Sequence, residues 1–191
     1  MVATMAVAGV PDGSGATNGV RNGVTEAAHL GDERTTLLGF LERQRDLVAW
    51  KMREATDETL ASVRMPSGLT LHGVVRHLEN VERGWFRQFF AGEEGLPFDS
   101  TDDDPDGDFR AEGVPMAALL ASYAEETARC NEVIAAAPSL DATASDEDGT
   151  FSLRWIILHM IEETGRHLGH IDLLREQADG AVGEEPSEEG S

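Results

Sequence analysis

HMIEETGRHLGH, residues 159–170, places three histidines and two glutamates within twelve positions of an otherwise apolar, helix-forming stretch. Each residue of an α-helix turns about 100°, so relative to Glu163 the angles are about −40° for His159, +40° for His167 and −20° for His170. The same arithmetic puts Ile156 and Leu174 at about +20°, Met160 at about +60° and Ile171 at about +80°. The polar groups therefore share the stripe that should face the protein interior. An unpaired buried carboxylate costs several kcal/mol, and buried charges are paired or bound to metal, so Glu163 requires a cationic partner. The i, i+4 spacing sets Glu163 beside His167 as a chelating pair on one helix needs, and a third ligand must come from elsewhere.

Working outward, four segments carry helical punctuation. Asp32 is the expected N-cap of helix one, which carries Leu37, Leu38, Leu41, Leu47, Val48 and Trp50 to about residue 54. Helix two spans about Leu69 to Phe90, between Pro66-Ser67-Gly68 and Gly92. Helix three has Pro115 in its first turn and ends before Pro138. Helix four follows the turn DEDGT (146–150), with Ser152 as cap, and ends at Asp179-Gly180. No strand and no internal repeat is expected. Residues 1–31 lack any period of 3.6 or 2 and are expected to be disordered, as is the acidic tail 181–191. The chain thus reads as one all-α domain over 32–180, a four-helix bundle whose acidic loop after helix two allows a crossover.

Helix two, LTLHGVVRHLENVERGWFRQFF, offers two histidines about 140° apart. His72 lies with Arg76, Glu79 and Arg83 and reads as solvated. His77 lies with Val74, Val81, Gly73 and Gly84 and reads as inward, the glycines leaving space beside it for a substrate. Trp85, Phe86, Phe89 and Phe90 read as core or interface, with Trp85 a candidate pocket wall. Trp155 packs at the start of helix four, and Cys130 reads as an inert buried thiol. The loop DDDPDG (102–107) fits the first half of a calcium loop, but its twelfth position is Gly113, where a bidentate acid is required. It reads better as a solvated turn or a lid over the bundle mouth.

Charge and composition narrow the partners. The formal charge of −21, from 36 acidic against 15 basic side chains, opposes nucleic acid and anionic lipid surfaces. Part of the excess lies in the tail GEEPSEEGS (183–191) and the loop TDDDPDGD (101–108). One cysteine excludes an intrachain disulfide, no signal-peptide order is seen, and no apolar run nears the roughly 20 residues that cross a bilayer. A cytoplasmic setting is expected. Lys51 is the only lysine, and the bias to Arg, Ala, Gly and Val reads as a GC-rich genome.

From DERTTLLGFL through VRHLENVERGWF and TDDDPDGDF to SLRWIILHMIEETGRHLGHIDLLRE, the chain resembles the DinB-like superfamily, specifically its actinobacterial mini-circle-protein branch, over about residues 32–180. The resemblance implies a four-helix bundle with a divalent metal at its centre. Matching motifs, it implies His77, Glu163 and His167 as the ligands. Glu163 replaces the commoner histidine, as in the mycothiol-dependent maleylpyruvate isomerase relatives. Two imidazoles, a carboxylate and an open position suit Zn2+, although Ni2+, Co2+ or Mn2+ accept such a set. The resemblance further implies a low-molecular-weight thiol co-substrate, here mycothiol, activated as a metal-bound thiolate to attack a small electrophile in detoxification or specialised metabolism. His170, or a water on the metal, is the expected acceptor of the thiol proton, and His159 and His170 could also support the ligands. A metal-dependent hydrolase and a non-catalytic metal- or thiol-binding stress protein are the alternatives. Relatives often dimerise, so a homodimer is a further expectation.

Overall fold

The structure is a computed structural model and describes residues 17–183. It is mostly helical. Strands β1 (Gly19–Arg21) and β2 (Val24–Glu26) form a hairpin ahead of helix α1 (Glu33–Lys51). A short α2 (Asp57–Ala61) precedes α3 (Leu71–Glu82), which continues without a break into a π-helical segment, Arg83–Phe90. A loop with one 3-10 turn, Gly107–Phe109, leads to α4 (Met116–Ala136). A second hairpin, β3 (Thr143–Asp146) with β4 (Gly149–Ser152), runs into α5 (Leu153–Asp179).

The helix ends follow local chemistry. The side chain of Asp32 accepts the Thr35 N–H, that of Ser152 accepts the Trp155 N–H, and Gly180 takes the left-handed conformation that closes α5, at φ 77°. The expectation of no strand is corrected. DEDGT lies at the turn of a hairpin whose strands are only four residues each, mostly polar and exposed or half-buried, so they carry no apolar alternation to read. The segment just before α1 is also structured: Val24 is buried, and the Thr25 N–H donates to Asp46 Oδ2 at 2.8 Å, fastening the first hairpin to α1. Of the remaining segments read as unstructured, residues 1–16 and 184–191 lie outside the described residues.

Helix α1 packs along α5, and α3 packs on both α4 and α5. The core is divided in two. One apolar cluster holds Val48, Leu71, Val74, Leu78, Leu119, Ile171 and Leu174. The other holds Leu41, Phe86, Cys130, Ile134, Ile156, Ile157 and Met160. Each long helix crosses between them through polar residues. Arg45 reaches from α1 to form a two-pronged bond with Glu82 at 2.7 and 2.6 Å, both side chains buried. Arg83 Nε donates to Glu126 Oε2 of α4 at 3.0 Å. On α5 the same crossing falls at Glu163 and His167. The apolar interior thus accepts these groups because it is interrupted at one level, where every long helix supplies a polar partner.

The stripe of His72, Arg76, Glu79 and Arg83 is not the solvated face expected. His72, Glu79 and Arg83 are buried because other elements supply polar partners: Asp57 of α2 for His72, Ser122 of α4 for Glu79 and Glu126 of α4 for Arg83, while Arg83 and Glu79 also pair with each other along their own helix.

Candidate metal centre

His77 and the pair on α5 meet across the α3–α5 contact. His77 Nε2 lies 3.3 Å from Glu163 Oε1, and His167 Nε2 lies 3.1 Å from the same oxygen. One ligand atom from each of the three residues lies within 4.8 Å of the others. The side chains are 14%, 19% and 7% exposed in the order His77, Glu163, His167. That is enough burial to strengthen electrostatics and enough exposure for a small molecule to arrive.

Both imidazoles are held from behind. Asp108 Oδ2 sits 2.7 Å from His77 Nδ1, and His170 Nδ1 sits 3.3 Å from His167 Nδ1. A carboxylate on Nδ1 keeps a proton there, so that the neutral ring turns its Nε2 lone pair to the cluster, whereas the doubly protonated ring donates from Nε2 to Glu163. Phe109 covers His77, its ring stacked at 4.0 Å between centroids and 16° between planes. Asp108 is itself buried, and its Oδ1 has no hydrogen-bond partner among the described residues.

The electrostatics favour ligation. Burial raises the Glu163 carboxyl, but the hydrogen bond with His77 and the charges of His167 and His77 outweigh it and hold it below its ordinary range. Burial, reinforced by the charge of His77, pushes the His167 imidazole down despite Glu163. An ionised carboxylate and a neutral imidazole are the states that bind a cation. Ligand atoms 2.0–2.2 Å from one tetrahedral ion stand roughly 3.3–3.6 Å apart. The two contacts to Glu163 Oε1 are close to that spacing, so the donor set fits a divalent metal.

The other residues singled out in the sequence separate from this cluster. His72 bonds Asp57 Oδ1 at 3.4 Å and lines a different cavity of about 250 Å3 with Arg64 and Glu112. Cys130 is buried, and burial raises its thiol far above the ordinary range, so it is no nucleophile. His159 makes no ligand contact but stacks on Trp155 at 5.0 Å. Gly73 leaves no room for a substrate: a Cβ there would stand 2.1 Å from the Phe109 carbonyl oxygen, so the loop already fills that side. Asp104 of the supposed calcium half-loop pairs with Arg110 instead. Sequence reasoning missed Asp108, since no period or spacing locates a loop residue against a helix.

A family model described as mycothiol-S-transferase matches residues 36–180. The chain belongs to this mycothiol-S-transferase family, within the DinB-like superfamily. No curated protein matches the chain. The match runs from the first turn of α1 to the end of α5, and so includes every residue of the cluster and the loop that carries Asp108. Among the described residues of this mycothiol-S-transferase family member, no helix is long and apolar enough to cross a membrane.

Proposed function

We propose that the protein is a metal-dependent thiol S-transferase that joins mycothiol to a small electrophile in the cytoplasm, with His77, Glu163 and His167 as the metal ligands and Zn2+ as the metal. The reading takes the four long helical segments as a DinB-like four-helix bundle over residues 32–180. The observation that carries it is the convergence of two imidazole nitrogens on one carboxylate oxygen in a chain of the mycothiol-S-transferase family.

A divalent cation bound there favours thiolate over thiol, so a group with a pKa of about 8.5 ionises at neutral pH. The chain's residues supply the rest. Glu163 contributes the one negative charge among the ligands. Asp108 fixes the His77 tautomer, and Phe109 shields that imidazole from water. His170 takes a different part from the proton acceptor expected of it. When His167 presents its Nε2, its Nδ1–H must donate to His170 Nδ1. That contact occupies the only lone pair of a neutral His170, so His170 orients His167, and the thiol proton leaves to water at the half-open Glu163 face.

The test is elemental analysis of untagged wild type against His77→Ala and Glu163→Gln, followed by calorimetric titration with mycothiol. Near-stoichiometric metal lost in both variants, with mycothiol bound only by the loaded protein, is the expected result. A protein that takes up no metal, or that turns over electrophilic esters equally well without thiol, overturns the reading.

A further inference from the structure

The α3–α5 contact does not end at the metal ligands. His77 faces Glu163 and His167, and eight residues further along the same helical run Trp85 faces His159 and Trp155, which lie earlier on α5. The two helices therefore run antiparallel, and their contact leads from the ligands to an aromatic cluster. At about 1.5 Å per residue, His159 is roughly 6 Å and Trp155 roughly 12 Å along α5 from Glu163. Trp85 contacts Phe89 and Phe151 edge-on at 5.6 and 5.8 Å, and the Trp155 ring lies flat on His159 with 16° between planes. The imidazole of His159 has no hydrogen bond among the described residues. Exposure rises along this path to 42% at Trp155, whereas Phe109 closes the opposite end over His77. The backbone beneath Trp85 is π-helical, and such geometry is uncommon and concentrated at functional sites.

We propose that Trp85, Trp155 and His159 form the electrophile subsite, and that it takes a planar aromatic electrophile bearing no negative charge. The proposal rests on the transferase reading above. Flat aromatic groups are held by stacked and edge-on rings in the arrangement seen here. A ring seated against the exposed side of the Trp155–His159 stack would lie roughly 6–12 Å along α5 from Glu163, within the length of one small molecule. The chain's charge of −21 disfavours anionic substrates. With an aryl chloride the step balances simply: the sulfur lone pair forms the C–S bond, the C–Cl bond breaks with its electrons leaving as chloride, and the thiol proton goes to water.

The test compares 1-chloro-2,4-dinitrobenzene with iodoacetamide as electrophiles for the metal-loaded, full-length enzyme and mycothiol. The ratio of their kcat/KM values is expected to fall roughly 5- to 150-fold in Trp155→Ala, the range that loss of one stacking face produces, and to recover in Trp155→Phe. Leu173→Ala, an exposed position elsewhere on α5, serves as the control. An unchanged ratio with turnover retained overturns the subsite and leaves the transferase reading intact. If wild type turns over neither electrophile, the transferase reading fails, and the subsite is decided by titration with unreactive 1,3-dinitrobenzene. Saturable quenching of tryptophan fluorescence that Trp155→Ala abolishes supports it, and no saturable quenching overturns it. A dimer that Trp155→Ala converts to monomer also overturns it, because a second copy of the chain then occupies this face.

Discussion

Asp108 Oδ2 lies 2.7 Å from His77 Nδ1, although the two residues are separated by 31 positions and one of them belongs to a loop. The acidic loop after the π-helical segment therefore orients a side chain at the centre of the molecule. Asp108→Asn should lower metal affinity about 10- to 100-fold, the usual consequence of losing the group behind a ligating imidazole. Competition with a chromophoric chelator measures this directly, and an affinity within twofold of wild type would refute the orienting role.

His170 should behave in the same manner on the other imidazole. His170→Ala is expected to weaken metal binding about tenfold while leaving the shape of the pH–rate profile intact. Loss of one limb of that profile, with metal affinity unchanged, would instead make His170 the proton acceptor.

Gly73 and Gly84 predict opposite outcomes on one helical run. A Cβ at Gly73 meets the Phe109 carbonyl at 2.1 Å, and backbone must move to admit it. The overpacking cost of about 1–3 kcal/mol exceeds the roughly 1 kcal/mol that alanine gains over glycine in a helix. Gly73→Ala should therefore lower the Tm and, by shifting the loop, also weaken metal binding. At Gly84 the nearest atom is a Phe98 ring carbon at 3.7 Å, an ordinary contact, so Gly84→Ala should leave both properties unharmed.

The buried Arg45–Glu82 pair joins α1 to the end of α3. Glu82→Ala removes the two-pronged partner of a buried guanidinium, leaving it Glu42 and Asn131 on Nη1, and should cost up to about 3–5 kcal/mol, whereas Arg45→Met combined with Glu82→Leu should restore most of it. Urea unfolding of the three variants at constant m-value distinguishes the single from the double replacement.

Acid should destabilise the metal-free protein through the same cluster that binds the cation. The folded His167 titrates below its ordinary 6.5, so beneath that pH the unfolded chain binds a proton that the folded chain does not. Glu163, also lowered, acts in the same direction at more acidic pH. Stability in the presence of chelator should fall as pH drops below about 6.5. His167→Gln should flatten the upper part of that slope in thermal melts, and an unaltered slope would assign it elsewhere.

The long helices were legible because their signals are local. Asp32, Ser152 and Gly180 each act on a neighbouring backbone group, and the 3.6-residue period of α5 brings Glu163 and His167 to one side without reference to any other element. His77 was legible from its apolar company. His72, Glu79 and Arg83 were misread because charge was taken as a sign of solvent, while the partner that buries Arg83 and Glu79 is α4, some 43 residues away. Asp108 was beyond reach for a related reason. Its loop is steered by Asn80, which bonds both the backbone and the side chain of Asp99, and by the close approach of Gly107 to the Asp99 carbonyl. Such contacts depend on the finished fold.

The π-helical segment has an evolutionary consequence. One residue of slack in a helix is what separates a π turn from an α turn, so deletion of Arg83 or Gly84 at the start of the segment would rewind it and swing Trp85 about 100° around the axis. His77, on the ordinary α-helix before it, would keep its place opposite Glu163. A one-codon change in length could thus exchange the aromatic wall for another side chain while leaving the ligand cluster intact. Diversification of this architecture would then be written in insertions and deletions as much as in substitutions.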